Sequence, residues 1–211
     1  MAPSATRKAR AALAYVALAC SAVACSGSRR GPAAPIEEAT LPACPALRYF
    51  PLVDGTQWAY DAEDDDTGEK GMFVTRAHRL PGAKFSMLST QGAHTLEVRD
   101  DGIARVETNA YLLKAPFATG AEWPGEGGAT VRVGALDRVV EVPAGKFVGC
   151  LETIEEVRLR ARGDPARRVT TTFCPDVGIA LLHAEVWRGG KHAGEHATLR
   201  SFGRPVQFDM K

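Results

Sequence analysis

Val148-Gly149-Cys150-Leu151-Glu152-Thr153-Ile154-Glu155-Glu156-Val157 leads through Gly163-Asp164-Pro165 into Arg167-Arg168-Val169-Thr170-Thr171-Thr172-Phe173-Cys174. Two β-rich runs, Val148–Ala161 and Arg167–Cys174, flank a Gly-Asp-Pro turn, which is a hairpin signal. Val169 and Phe173 alternate with Thr170 and Thr172, as a half-buried strand requires. In Ile154-Glu155-Glu156-Val157 the apolar phase slips by one residue, which predicts a bulge. Cys150 and Cys174 are equidistant from position 162. Strands folding back there set them nearly opposite, within disulfide reach. Closing such a loop contributes about 3 kcal/mol.

Outward from this hairpin the same grammar recurs. Gly71–Ala77, Lys84–Ser89, Thr95–Arg99, Ile103–Thr108, Thr130–Val133, Arg138–Val142, Ile179–Trp187 and Ala197–Phe202 are β-rich, and Asp101-Gly102 and Gly189-Gly190 mark further turns. Leu96 and Val98 alternate with Thr95, Glu97 and Arg99. From Trp58 onward nothing has a convincing helical period with caps. The chain is predicted to be all-β, a strongly curved antiparallel sheet or open barrel of about ten strands. Gly and Pro, 21 and 13 of the 211 residues, suit short strands and turns better than long helices.

The N-terminus reads differently. Arg7, Lys8 and Arg10 precede an apolar run from Ala11 to Ala24 that is too short to span a bilayer. Ala22-Val23-Ala24 ends it with small residues, as a secretory signal peptide does. Cys25 follows, then Ser26-Gly27-Ser28. Small residues, Cys and a flexible polar stretch resemble a bacterial lipobox, although Ala22 stands where Leu is preferred. Leu18-Ala19-Cys20 is a second match, and plain secretion by cleavage at the same bond is the alternative. Acylation at Cys25 is the reading adopted, since several chains anchor stably at about 0.8 kcal/mol per buried methylene. The expected domains are a signal peptide at 1–24, a lipidated flexible tether at 25–45 that buries almost nothing, and a single β domain at 46–211. The localisation implied is the bacterial cell envelope, lipid-anchored, at the outer membrane.

Lys and Arg number 26 against 25 Asp and Glu. Removing three basic residues with the signal leaves 23 against 25, so charge gives no reason to expect nucleic acid. After Cys20 and Cys25 are assigned, Cys44, Cys150 and Cys174 remain, an odd number for an oxidising compartment. Cys44 could reach either partner, but the hairpin symmetry favours Cys150–Cys174.

Pro51-Leu52-x-x-Gly55-x-x-Trp58 recurs as Pro116-Phe117-x-x-Gly120-x-x-Trp123, offset by 65 throughout. Each copy reads as a Gly turn and a core-plugging Trp that opens a strand. Tyr49-Phe50-Pro51-Leu52 with Gly55, Trp58 and Tyr60 forms one motif. Val142-Pro143-Ala144-Gly145-Lys146-Phe147 with Cys150 and Leu151 forms a second, and Phe173-Cys174-Pro175-Asp176-Val177-Gly178-Ile179 a third. Together, from Tyr49 to about Phe202, they resemble a family of uncharacterised bacterial lipoproteins and secreted proteins built on an antiparallel β domain of unknown function. No catalytic residues are established for that family, so the resemblance transfers none.

No catalytic residue, metal ligand or cofactor is assigned. There is no Gly-x-Ser-x-Gly elbow, phosphate-cradling loop or His-Glu-x-x-His pair. His192 and His196 would share a helix face for zinc, but they follow Gly189-Gly190 and precede a strand. Asp64-Asp65-Asp66-Thr67-Gly68-Glu69 lacks a full calcium loop and reads as an acidic hairpin tip. His78, His94 and His183 fall within β runs and show no partner in the sequence. Trp58, Trp123, Trp187 and Phe173 are expected in the core, and Trp123-Pro124-Gly125-Glu126-Gly127-Gly128 as a loop at the mouth of the sheet. Three function classes remain. The first is a non-enzymatic envelope lipoprotein, held to the membrane by its lipid, that binds an envelope protein or a ligand. The second is a carrier of lipid or another apolar molecule in a half-barrel, by fold analogy alone. The third is a hydrolase with dispersed residues. An apolar cavity on the concave face would favour the second.

Overall fold

The computed structural model describes residues 40–90, 92–158, 165–188 and 191–203. The signal peptide, Cys25 and most of the tether lie outside the described residues, as do Gly163-Asp164 and Gly189-Gly190. The strands are β1 (Gln57–Asp64), β2 (Lys70–Arg79), β3 (Lys84–Ser89), β4 (Gly92–Arg99), β5 (Gly102–Arg105) and β6 (Tyr111–Lys114). They continue as β7 (Glu122–Pro124), β8 (Thr130–Val142), β9 (Gly145–Arg158), β10 (Pro165–Cys174), β11 (Gly178–Arg188) and β12 (Lys191–Gly203).

All twelve form one antiparallel sheet, ordered β6-β5-β4-β3-β2-β1-β12-β11-β10-β9-β8-β7. This is an up-and-down meander whose first and last strands pair, from Gln57↔Gly203 to Asp64↔Glu195. The result is a nearly closed barrel with its seam between β6 and β7. Across that seam the Trp123 indole N–H donates to the Tyr111 carbonyl at 3.1 Å. Pairing the ends removes two sheet edges, and short strands at the seam keep the remaining edges small.

The repeated motif is one backbone geometry used twice. Gly55 N–H donates to Ala77 O and Ala77 N–H to Thr56 O, while Thr56 N–H reaches back to Val53 O. Sixty-five residues on, Gly120 donates to Val133 O, Val133 to Ala121 O, and Ala121 back to Ala118 O. Both glycines have positive φ, 77° and 82°, a conformation that costs glycine little. Trp58 and Trp123 then open β1 and β7 as buried plugs, 1% and 4% exposed.

One end of the barrel is sealed by the segment before β1. A 3-10 turn over Pro45–Arg48 packs on β5, and Asp176 N–H donates to Arg48 O at 2.8 Å. Phe50 sits between the rings of Trp58 and Phe173, with centroids 5.6 and 6.1 Å away. Trp58 Nε1–H donates to Val177 O at 2.7 Å. A Cβ on Gly178 would lie 2.9 Å from Trp58 Nε1 and 3.1 Å from Phe50, so only glycine fits there. The first and third motifs thus meet at the sealed end, and Cys150 of the second is bridged to Cys174 of the third. Their spacing serves closure of the barrel.

Several expectations change. The residues just before Ala46 bury more than a tether would: Cys44 is 8% exposed and Leu41 packs on the core. An open barrel end has apolar side chains to cover, and this segment covers them. Thr130–Val133 and Arg138–Val142 are a single strand, β8, carrying register shifts between Val133 and Val140. No bulge occurs at Ile154–Val157, where β9 pairs with β10 without a shift from Leu151↔Phe173 to Val157↔Arg167. The apolar phase slips because Glu155 takes an inward position. Trp187 is only half-buried, lying under Arg168 and beside His192. The β6 and β7 strands, four and three residues long, had too few positions to show a period.

Candidate functional site

Inward-facing residues of ten strands, with Phe50, line an interior cavity of about 220 Å³. Phe50, Trp58 and Ile179 lie toward its sealed end, with Tyr60, Leu182 and Val169 along its walls. Thr153 and Thr171, partners across β9 and β10, add hydroxyls. Burial pushes the Tyr60 phenol upward, and its O–H donates to Ile179 O at 3.1 Å. Phe73, Thr75, His94 and Leu182 also line an adjoining, more open volume of about 480 Å³. That second volume reaches Ser89, Gly92 and Glu195 near the β3–β4 and β11–β12 tips, so it marks the mouth.

Polarity changes along the strands. On β4 the inward series from the sealed end is Val98, Leu96, His94. On β5 it is Ile103, Arg105, with Arg105 opposite Leu96. On β9 it is Leu151, Thr153, Glu155. Each series is apolar at depth and ends in a charged or titratable group. Glu155 accepts from Arg167 at 2.6 Å. Arg105 Nε lies 3.7 Å from Glu126 of the Gly-rich loop, which places that loop beside the mouth. Arg105 Nη1 is shut off from solvent and has no hydrogen-bond partner among the described residues. Burial of the ring, and then the neighbouring Arg105 charge, hold the His94 pKa below its ordinary value.

The disulfide joins Cys150 to Cys174, Cα atoms 4.2 Å apart, in the β9–β10 pair. Both cysteines are fully buried. Cys44 keeps a free, buried thiol whose pKa is raised by that burial. The remaining histidines are not isolated as their sequence context suggests. His183 and His196 face each other across β11 and β12, and one Asp65 carboxylate meets both, at 2.9 and 2.6 Å. His78 approaches Asp54 at 3.3 Å, and His192 approaches Glu185 at 3.2 Å. Sequence distance hid these partners, since Asp65 lies 118 and 131 residues away. The acidic tip folds on itself, with Asp64 accepting from the N–H of Asp66 and Thr67 and from the Thr67 hydroxyl. Among the described residues no group of three His, Cys, Asp or Glu is placed to hold a metal ion.

The cavity was only partly readable in advance. His94 shares the i, i+2, i+4 phase of Leu96 and Val98, so its inward position was legible. Arg105 was not, because Ala104 and Val106 offered an equally plausible buried face.

No family model matches the chain, and no curated protein does. Among solved structures, a Bacteroides fragilis protein described as exported and YmcC-like in fold is 13% identical. That match covers 72% of this chain and 97% of the other, with a TM-score of 0.45. A Parabacteroides distasonis protein described as a lipoprotein is 12% identical over 79% of this chain and 100% of its own, with a TM-score of 0.41. Scores at this level establish neither family nor activity.

Proposed function

We propose that the chain is a non-enzymatic lipoprotein of the bacterial cell envelope, anchored through Cys25 at the outer membrane, whose barrel binds a small, largely apolar ligand. The observation that carries this reading is the interior cavity of about 220 Å³ with an aromatic and aliphatic lining and an adjoining mouth. Native cores are packed without voids of this size, so an apolar cavity that opens at one end suits a ligand better than structural slack. The resemblance to envelope lipoproteins rests on the three motifs and the lipobox-like stretch.

The test uses 1-octanol, titrated calorimetrically into the purified protein with Trp emission as a second readout, since Trp58 lines the cavity. Saturable one-site binding is expected, lost in Val169→Phe, whose ring fills the space. Absence of saturable binding in the unsubstituted protein refutes the proposal. A partner-binding role is favoured by one separate observation. Val139 and Val148 are 58% and 66% exposed on the paired strands β8 and β9, and Phe202, 40% exposed on β12, meets the Phe147 ring of β9 at 6.1 Å. Val148→Glu should then reduce recovery of a cross-linked envelope partner without affecting octanol binding, and unchanged recovery counts against that role.

A further inference from the structure

Arg105 is the unusual member of the cavity lining. A guanidinium presents five N–H donors and cannot give up its charge. Here Nη1 lies out of solvent with no acceptor among the described residues, and a buried donor left unpaired is unfavourable. The nearby carboxylates do not remove the deficit. Glu126 stands 3.7 Å from Nε, beyond hydrogen-bond distance, and Glu155 accepts from Arg167 but not from Nη1. His94, close enough for the Arg105 charge to lower its pKa, is not a partner of Nη1 either. An acceptor carried by a ligand in the cavity would answer this donor.

We propose that the ligand is a single-chain amphiphile with a carboxylate head, its chain in the apolar depth of the barrel and its carboxylate accepting from Arg105 Nη1. This deepens the ligand-binding reading and rests on it. The gradient along β4, β5 and β9 sets the orientation, tail toward Phe50 and Trp58 and head toward the mouth. An ionised acceptor is preferred over a hydroxyl because charge-assisted hydrogen bonds are roughly twice as strong as neutral ones. Glu126, 3.7 Å from Nε, repels a dianionic phosphate head more strongly than a monoanionic carboxylate. The volume of about 220 Å³ equals roughly seven waters at about 30 Å³ each, and a methylene is of similar size, so a chain of about that many carbons fits.

Octanoate, 1-octanol and octyl phosphate have one chain and three heads. At neutral pH octanoate should bind the purified protein at least tenfold more tightly than 1-octanol. In Arg105→Met or Arg105→Gln that preference should collapse, with octanoate losing affinity and 1-octanol still binding saturably. Equal affinity for octanoate and 1-octanol in the unsubstituted protein overturns the proposal and leaves the apolar-ligand reading standing. That comparison needs no variant to fold. Octyl phosphate binding more tightly than octanoate overturns the carboxylate assignment. Saturable binding of none of the three defeats the ligand-binding reading itself.

Discussion

Replacing Cys150 and Cys174 together by Ala tests the geometry of the sealed end. The bridge spans 24 residues, and the chain-entropy relation for a loop of that length gives about 3.4 kcal/mol at 25 °C. Both residues are fully buried, so the small space left by two lost sulfurs adds of the order of 1 kcal/mol. The total expected loss is about 4 kcal/mol, read from urea unfolding of the oxidised protein and the double variant. The ladder from Leu151↔Phe173 to Val157↔Arg167 holds the same register without the bridge. Far-ultraviolet circular dichroism of the variant in dilute buffer should therefore be unchanged. Non-reducing peptide mapping should recover Cys150 linked to Cys174 and Cys44 as a free thiol. A loss below about 1 kcal/mol would refute the loop argument, and a peptide joining Cys44 to either of the others would refute the register.

Three further outcomes concern other positions of the chain. Gly178→Ala should lose about 2–4 kcal/mol in urea unfolding, because it combines a φ of 108° with a Cβ pressed onto Trp58 and Phe50; an unchanged midpoint would mean that the sealed end yields easily. The hydrogen bonds from His196 and His183 hold the Asp65 carboxyl below its ordinary value of 3.8. A depressed folded-state pKa gives stability that is complete above that value and lost as pH falls through the folded one. Asp65→Asn should therefore melt lower than the unsubstituted protein at pH 6, by an amount that shrinks below pH 4; a difference constant down to pH 2 would contradict the clamp. Cys25→Ala should shift the protein from membrane to soluble fractions, and unaltered fractionation would sink the lipid anchor.

Sequence and structure agree best where structure is local. The β9–β10 hairpin and its disulfide were legible because alternation, a turn and two symmetric cysteines all lie within one short stretch. The duplicated Gly and Trp motif was legible because each copy closes its own turn. β6 and β7 were not legible, being too short for a period to emerge. At Glu155 the pattern misled for a physical reason, since a polar residue facing a cavity imitates a break in phase.

The sequence by itself determined an all-β chain of alternating strands and favoured one hairpin register, the one that matches Cys150 to Cys174. Side-chain alternation and turn chemistry act over a few residues, and one chain segment is enough to display them. Only the tertiary structure decided that β1 pairs with β12 and that the segment around Cys44 and Phe50 seals one end. It also set Asp65 between two distant histidines and placed Arg105 inside with an unanswered donor. Each of these is a meeting of residues from separate strands, and which face of a short strand turns inward depends on the neighbour it pairs with.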